Sequence, residues 1–378
     1  VFGWGRRREL GGFAARLGRR AFVVEGSRTL AANGTMVEIA DVLRTAGVEP
    51  VTLASISHEP TVADVDGATS RLRELDAGEG DLLLAVGGGS AIDLAKAAGA
   101  MATNRESETV KDYLEGVGRG LKINREPLPL AALPTTGGTG AEATKNAVIS
   151  SHQPAFKKSL RSERMVPKLV LVDPELSVDV PQTTTAWTGM DAITQLIESY
   201  ISRFARPIPQ ALAVDGLRRA LPALAEAVRD GSSRPARESM AHAALLSGIA
   251  LANSGLGMAH GVAAALGISL RVPHGLACAV MLPTALRVNR ETSQASLAEL
   301  ARLTLGGSWP NDATAAAAFI ERIEQLADEV GVPKRLRDVG VERKQIAQLV
   351  AGSRGNSMNG NPRQLSDEEL TNILEELL

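Results

Sequence analysis

The apolar pattern of this chain changes period once, near Asp173-Pro174, and that change constrains the architecture more than any other feature. Before it, short apolar runs at residues 21–24, 51–53, 81–86, 128–133 and 169–172 alternate with helical spacing at 36–46 and 65–75. This alternation predicts a largely parallel sheet covered by helices. After it, residues 183–203, 209–229, 234–254, 258–270, 313–330 and 367–378 carry helical spacing, and strand signals nearly vanish. The expected class is α/β plus all-α, with an α/β domain over residues 1–176 and an all-helical domain over 177–378. A chain of 378 residues exceeds what one hydrophobic core usually organises.

Charge narrows the partners. The 41 Lys and Arg nearly balance the 43 Asp and Glu. No basic stretch is dense enough to suggest nucleic acid or a membrane surface. The cluster Arg6-Arg7-Arg8 is expected to be a solvated face. Residues 239–270 contain no Asp, Glu, Lys or Arg. That length could span a bilayer, but His242, Asn253, His260 and several glycines argue for two buried helices of a soluble core. The single cysteine, Cys278, excludes an intramolecular disulfide and fits a reducing, cytoplasmic setting. No signal peptide is evident.

Chemistry is signalled first by Gly87-Gly88-Gly89-Ser90-Ala91-Ile92-Asp93, which follows an apolar strand and opens a helix. Glycine allows a tight turn and lets a ligand approach the main chain. Free N–H groups at the helix start favour an anion such as a pyrophosphate. Ser90 either caps the helix or donates to that phosphate. The plain alternative is a strand-to-helix turn, and the pattern is not G-x-G-x-x-G. A second glycine-rich segment, residues 134–142, also follows a strand. Its Thr135, Thr136 and Thr139 suit a pyrophosphate, ribose or carboxamide, since loops at strand carboxyl ends converge on the ligand crevice.

In the helical half, Asp191 and Gln195 are one helical turn apart and share a face. His260 and His274 fall in apolar text, where an unpartnered imidazole is costly. With Asp191 they form a plausible Asp/His/His metal set; each histidine alone would read as core. His58 and His152 lie in polar loop text, and His242 is expected to be structural.

At this point the sequence resembles the iron-containing (group III) alcohol dehydrogenase family. The carrying segments are residues 87–93, 134–142 and 173–181, Gly189-Met190-Asp191 with the helix after it, the Gly-Met-Ala-His run ending at His260, Val272-Pro273-His274-Gly275, and Asn361-Pro362-Arg363. The resemblance implies a Rossmann-like N-terminal domain, a helical C-terminal domain (a dehydroquinate synthase-like architecture) and a catalytic site in the cleft between them. Gly88, Gly89, Ser90 and Asp93, beside Gly87, would hold the pyrophosphate of NAD(P). Thr135, Thr136 and Thr139 would line its diphosphate and nicotinamide side, with Lys158 and Leu176 as further cofactor positions. Asp191, Gln195, His260 and His274 would hold Fe²⁺ or Zn²⁺, with Asp191, His260 and His274 as the catalytic set. A homodimer is also implied.

Three departures matter. Gln195 stands where the family usually has His, and a carboxamide is a weaker ligand for a divalent transition metal. Ala264 stands where many members carry a second His near the substrate, which removes a proton carrier. Gly26 stands where NAD-using members often carry Asp; with Ser27 and Arg28 next to it, this favours NADP. The expected function is metal-dependent, NAD(P)-linked hydride transfer between nicotinamide and a small alcohol or aldehyde. The rival readings are a metal-free reductase of the same fold, like the maleylacetate reductases, and a degenerate binding protein.

Overall fold

The computed structural model describes residues 1–26 and 28–378, so the expectation placed on Ser27 lies outside the described residues. The chain divides into two compact units. One comprises Val1–Thr136 and Gly140–Val180, the other Gly137–Thr139 and Pro181–Leu378. The division falls after Val180 rather than after Leu176, because the 3₁₀ turn Pro174–Ser177 packs Leu176 into the core beneath the sheet.

In the first unit the strands are β1 (Arg20–Glu25), β2 (Glu49–Ser55), β3 (Asp81–Gly87), β4 (Leu130–Pro134), β5 (Asn146–His152), β6 (Ala155–Arg161) and β7 (Leu169–Val170). Its helices are α1 (Leu10–Ala14), α2 (Thr29–Ala32), α3 (Thr35–Thr45), α4 (Val62–Glu74) and α5 (Gly89–Thr103). Five strands form a wholly parallel sheet in the order β2-β1-β3-β4-β7. The central strand β3 is buried along its whole length, which explains its unbroken apolar text. Alternation sorts its side chains. Leu83 and Ala85 join Ile92 and Ala95 of α5, while Leu82, Leu84 and Val86 join Ile39 and Leu43 of α3. α4 starts on a reciprocal cap between Thr61 and Asp64.

Two expectations for this unit are corrected. β5 and β6 form an antiparallel hairpin that the polar text concealed, and His152 ends β5 rather than lying in a loop. Its buried apolar positions are Ala147, Ile149, Phe156 and Leu160. The Arg6-Arg7-Arg8 cluster is not uniformly a solvated face. Arg7 is buried and binds Asp173, Glu175 and Glu38. Asp173 also accepts from the backbone N–H groups of Gly5 and Arg7, at 2.8 and 3.0 Å.

The second unit contains helices and no strand among the described residues. They are α6 (Gln182–Ile201), α7 (Pro207–Arg229), α8 (Arg234–Ser254), α9 (Met258–Leu270), α10 (His274–Asn289), α11 (Gln294–Leu305), α12 (Asp312–Glu329), α13 (Ile346–Gly352), α14 (Asn356–Asn359) and α15 (Asp367–Glu376). The text did not announce α10, which has Gly275 in its first turn and Pro283 inside it, or α11. Among the described residues no single helix is long and apolar enough to cross a membrane. α8 and α9 together have the length and composition, but they bend by 101° and bury Met240, Ala243, Val262 and Leu266 in the helical core.

α6 is the axis of this unit. Fifteen of its residues are buried, from Thr185 to Ile201, and it packs against α7, α8 and α10. Gly189 permits that approach: a Cβ there would lie 2.3 Å from Leu224 Cδ1 and 3.0 Å from Met240 Cε. Replacing a helical glycine gains up to about 1 kcal/mol of helix propensity. Forcing extra carbons into a packed core costs about 1–3 kcal/mol, and β-branching also removes part of the propensity gain. Gly189→Val is therefore expected to destabilise the chain by about 1–3 kcal/mol, read as a lower midpoint in urea unfolding.

Candidate active site

In the first unit, the β2-β1-β3-β4 order makes the connections leave in opposite directions from β1 and β3, and ligands of such sheets bind beyond the strand carboxyl ends at that point. Gly26 ends the β1 segment there and Gly87 ends β3. A Cβ on Gly26 would lie 2.8 Å from Gly87 Cα, and one on Gly87 would lie 2.7 Å from Ala91 Cβ. The two turns thus touch backbone to backbone, and an aspartate at position 26 has no room without displacing the turn. Gly88 precedes α5, whose start carries no side-chain cap. Thr136 approaches Gly88: a Cβ on Gly88 would lie 3.2 Å from Thr136 Oγ1. Thr135 N donates to Gly87 O at 3.1 Å. Gly26, Gly87, Gly88, Gly89, Ser90, Thr135 and Thr136 therefore gather at one end of the sheet, around a helix start that suits an anion.

The other cofactor expectations separate. Asp93 Oδ2 accepts from Val148 N at 3.0 Å and so braces the hairpin against α5. Burial pushes its carboxyl up to about 6, against the opposing charge of Lys96. Lys158 is exposed on β6, and Leu176 is buried in the core. Thr139 belongs to the segment Gly137–Thr139 that clusters with the helical unit, where Gly138 lies against the Thr188 backbone. The sequence reading missed Lys96, one turn after Asp93. Its buried ammonium donates to Ala141 O, Thr144 O, Thr144 Oγ1 and Asn146 O at 2.5–3.0 Å, which holds the segment after the second glycine-rich turn. Burial lowers it to about 8.

The helical unit assembles a tighter cluster. α6 presents Asp191, Gln195 and Glu198 at i, i+4 and i+7, on one face. α9 begins with Met258-Ala259-His260, and α10 begins at His274 with Cys278 one turn later. His260 Nε2 lies 3.1 Å from Asp191 Oδ1, and its Nδ1 lies 2.7 Å from Glu198 Oε2. Cys278 Sγ is 3.8 Å from His274 Nε2. The His260 and His274 rings meet edge to face, with centroids 5.5 Å apart. One donor atom from each of Asp191, His260, His274 and Cys278 lies within 4.8 Å of all the others.

Glu198 holds more than His260. It also accepts from Gly257 N at 2.9 Å and Ala259 N at 2.7 Å, so one carboxylate caps the start of α9 and orients the imidazole. Asn361 Oδ1 accepts from Met258 N at 3.0 Å, and Asn361 is itself paired with Asn289. This gives the Asn361-Pro362-Arg363 segment its place: it closes the helix start that carries His260. Gln195 is buried, with its Oε1 accepting from Ser247 Oγ of α8 at 2.6 Å. Ala264 sits one turn beyond His260. His242, on another part of α8, lies 3.7 Å from Asp215 of α7, and His58 is exposed.

The electrostatics follow from the geometry. Burial disfavours a charged His260, but Cys278, Asp191 and Glu198 outweigh it and hold the imidazole well above its ordinary value. Burial likewise opposes the Asp191 carboxylate, yet the two histidines and Cys278 keep it below the usual range. Burial pushes the Cys278 thiol up to about 12. A carboxylate, two imidazoles and a thiol, packed with little room and backed by a carboxylate behind one imidazole, have the chemistry to hold a transition metal. Sequence reasoning missed Glu198 and Cys278; the i+7 step from Asp191 and the i+4 step from His274 were the signals available.

Residues 1–174 match the family model described as iron-containing alcohol dehydrogenase, and residues 185–378 match the C-terminal model of the Fe-containing alcohol dehydrogenase family. The chain is 33% identical over 349 residues to a long-chain-alcohol dehydrogenase of Geobacillus thermodenitrificans, covering 92% of this chain and 86% of that protein. It is 30% identical over 381 residues to an NAD-dependent methanol dehydrogenase of Bacillus methanolicus, covering 100% and 97%. Among solved structures, a 1,3-propanediol oxidoreductase superposes with a TM-score of 0.93 at 30% identity, covering 100% of this chain and 97% of that one.

Because Glu198 fixes the His260 ring, Glu198→Gln is expected to weaken divalent-metal affinity roughly 10- to 100-fold. Competition against a chromophoric chelator measures this; unchanged affinity would show that the carboxylate serves only as a helix cap.

Proposed function

The chain belongs to the iron-containing alcohol dehydrogenase family, and from that premise we propose that Asp191, His260 and His274 hold a divalent metal, with Gln195 beside them, while the β3–α5 turn receives NADP. The protein is an oxidoreductase acting on CH–OH groups, linked to NAD(P). The observation that carries the proposal is the enclosed cluster of Asp191, His260, His274 and Cys278 with Glu198 behind His260. When bound, the metal supplies Lewis acidity toward an alcohol or carbonyl oxygen, and the nicotinamide supplies or accepts the hydride.

The chain's own residues have definable tasks. Asp191 contributes the anionic donor and stays ionised in the buried setting. Nδ1–H of His260 donates to Glu198, which leaves Nε2 directed at Asp191 and the proposed metal position. Gly87, Gly88 and Gly89 let a pyrophosphate approach the α5 start, and Ser90, Thr135 and Thr136 stand ready as hydroxyl donors. Ala264 carries no proton, so no histidine at that position moves one.

NADP is favoured over NAD because Gly26 presents no carboxylate against a 2′-phosphate and is packed too closely to Gly87 to be replaced by one. Exposed Arg28 offers a cation nearby in the chain. A homodimer is proposed from the family, and the free Cys278 thiol supports a reducing, cytoplasmic setting. A small aliphatic alcohol or aldehyde is the proposed substrate class.

The test is reduction of an aldehyde panel with NADPH and NADH, before and after thorough chelation. Activity is expected with NADPH preferred, falling on chelation and returning on metal addition. Full turnover after chelation would contradict the metal role and favour a metal-free reductase. Binding of the dinucleotide without turnover on any substrate would contradict the enzymatic reading.

A further inference from the structure

We infer that Cys278, and not Gln195, supplies the fourth protein donor of the metal centre, and that the centre takes zinc in preference to iron. The inference rests on the reading that Asp191, His260 and His274 hold a metal.

Three observations carry it. The first is placement. His274 and Cys278 stand one turn apart on α10 and face the same way, with Sγ and Nε2 3.8 Å apart. Around a tetrahedral ion with bonds of about 2.0–2.3 Å, neighbouring donors lie about 3.3–3.8 Å apart. The 3.1 Å between Asp191 and His260 and the 4.8 Å limit on the whole set need only small side-chain adjustments to reach that spacing.

The second is what each rival is already bound to. The Gln195 oxygen is bound to Ser247 Oγ at 2.6 Å, on the α8 side of α6. Ligation would ask that one oxygen to serve both the Ser247 hydroxyl and the metal, as a neutral and weak donor. The thiol of Cys278 is fully buried, and its neighbours Asp191, His260 and His274 are the other members of the cluster.

The third is donor character. Gln195 offers a neutral oxygen, whereas a cysteine ligates as a thiolate that releases its proton on metal binding. Thiolate is also the softer donor and shifts selectivity toward zinc, with a Zn–S bond of about 2.3 Å. The competing account is that Cys278 is merely a small apolar filler of the helical core.

Cobalt(II) distinguishes the two, because a cobalt–thiolate bond gives an intense near-ultraviolet charge-transfer band that imidazole and carboxylate do not. The full chain, stripped of metal and loaded with one Co²⁺, is expected to show the band. Gln195→Ala should retain it. Cys278→Ser should lose it and bind zinc at least roughly tenfold more weakly, a loss no smaller than that of an outer partner. In anaerobic competition between equal Zn²⁺ and Fe²⁺, the wild type should recover mainly zinc. Stoichiometric cobalt without the band in the wild type would overturn the cysteine assignment while leaving the metal centre standing. The wild-type spectrum decides this even where Cys278→Ser fails to fold. No cobalt or zinc bound at all would overturn the metal centre itself, and preferential recovery of iron would overturn the zinc assignment.

Discussion

The helical unit depends on one clamp, the His260 imidazole held between Asp191 and Glu198. Both carboxylates come from α6, so one helix sets the position and the tilt of a ring on another. Glu198 simultaneously takes two backbone N–H groups at the α9 start, so the same carboxylate fixes where that helix begins. A buried carboxylate is costly without partners. Here each of its partners also carries out a structural task, so the polar group at the centre of an apolar bundle specifies geometry rather than merely surviving burial. Gly257 fits the same logic: a Cβ there would lie 2.9 Å from Glu198 Oε1.

The sheet unit solves a different problem by removing side chains. The turns after β1 and β3 meet at Gly26 and Gly87, where the backbones are too close for a Cβ. That packing leaves the α5 start beside the two turns without a side-chain cap, and it also explains the missing acid after β1. The residue at position 26 is set by the neighbouring turn before any question of cofactor choice arises. Lys96 then anchors the following loop through main-chain carbonyls, placing a charge where a shorter donor could not reach.

Legibility in the sequence followed locality. β3 and its glycines were readable because an apolar run and a turn signal adjoin each other. The Asp191 face was readable because helical spacing places its residues together. The β5–β6 hairpin was hidden because polar residues occupy most of its other positions, so its buried Ala147, Ile149, Phe156 and Leu160 form no long apolar run. α10 was hidden by Gly275 and Pro283, and Cys278 went unread with it, since a buried cysteine in apolar text looks like filler. Glu198 was passed over because a helical glutamate is usually solvated, and Arg7 because its partner Asp173 lies far along the chain. In each case a contact between distant segments supplied the meaning that local text lacked.

The clamped His260 either belongs to a working metal centre or is only a buried imidazole between two carboxylates. The most direct measurement is elemental analysis of the purified chain beside His260→Ala, with circular dichroism confirming that both are folded. About one transition metal per chain is expected in the wild type and little in the variant. Equal metal in both, or none in the wild type even after incubation with zinc and iron, would contradict it.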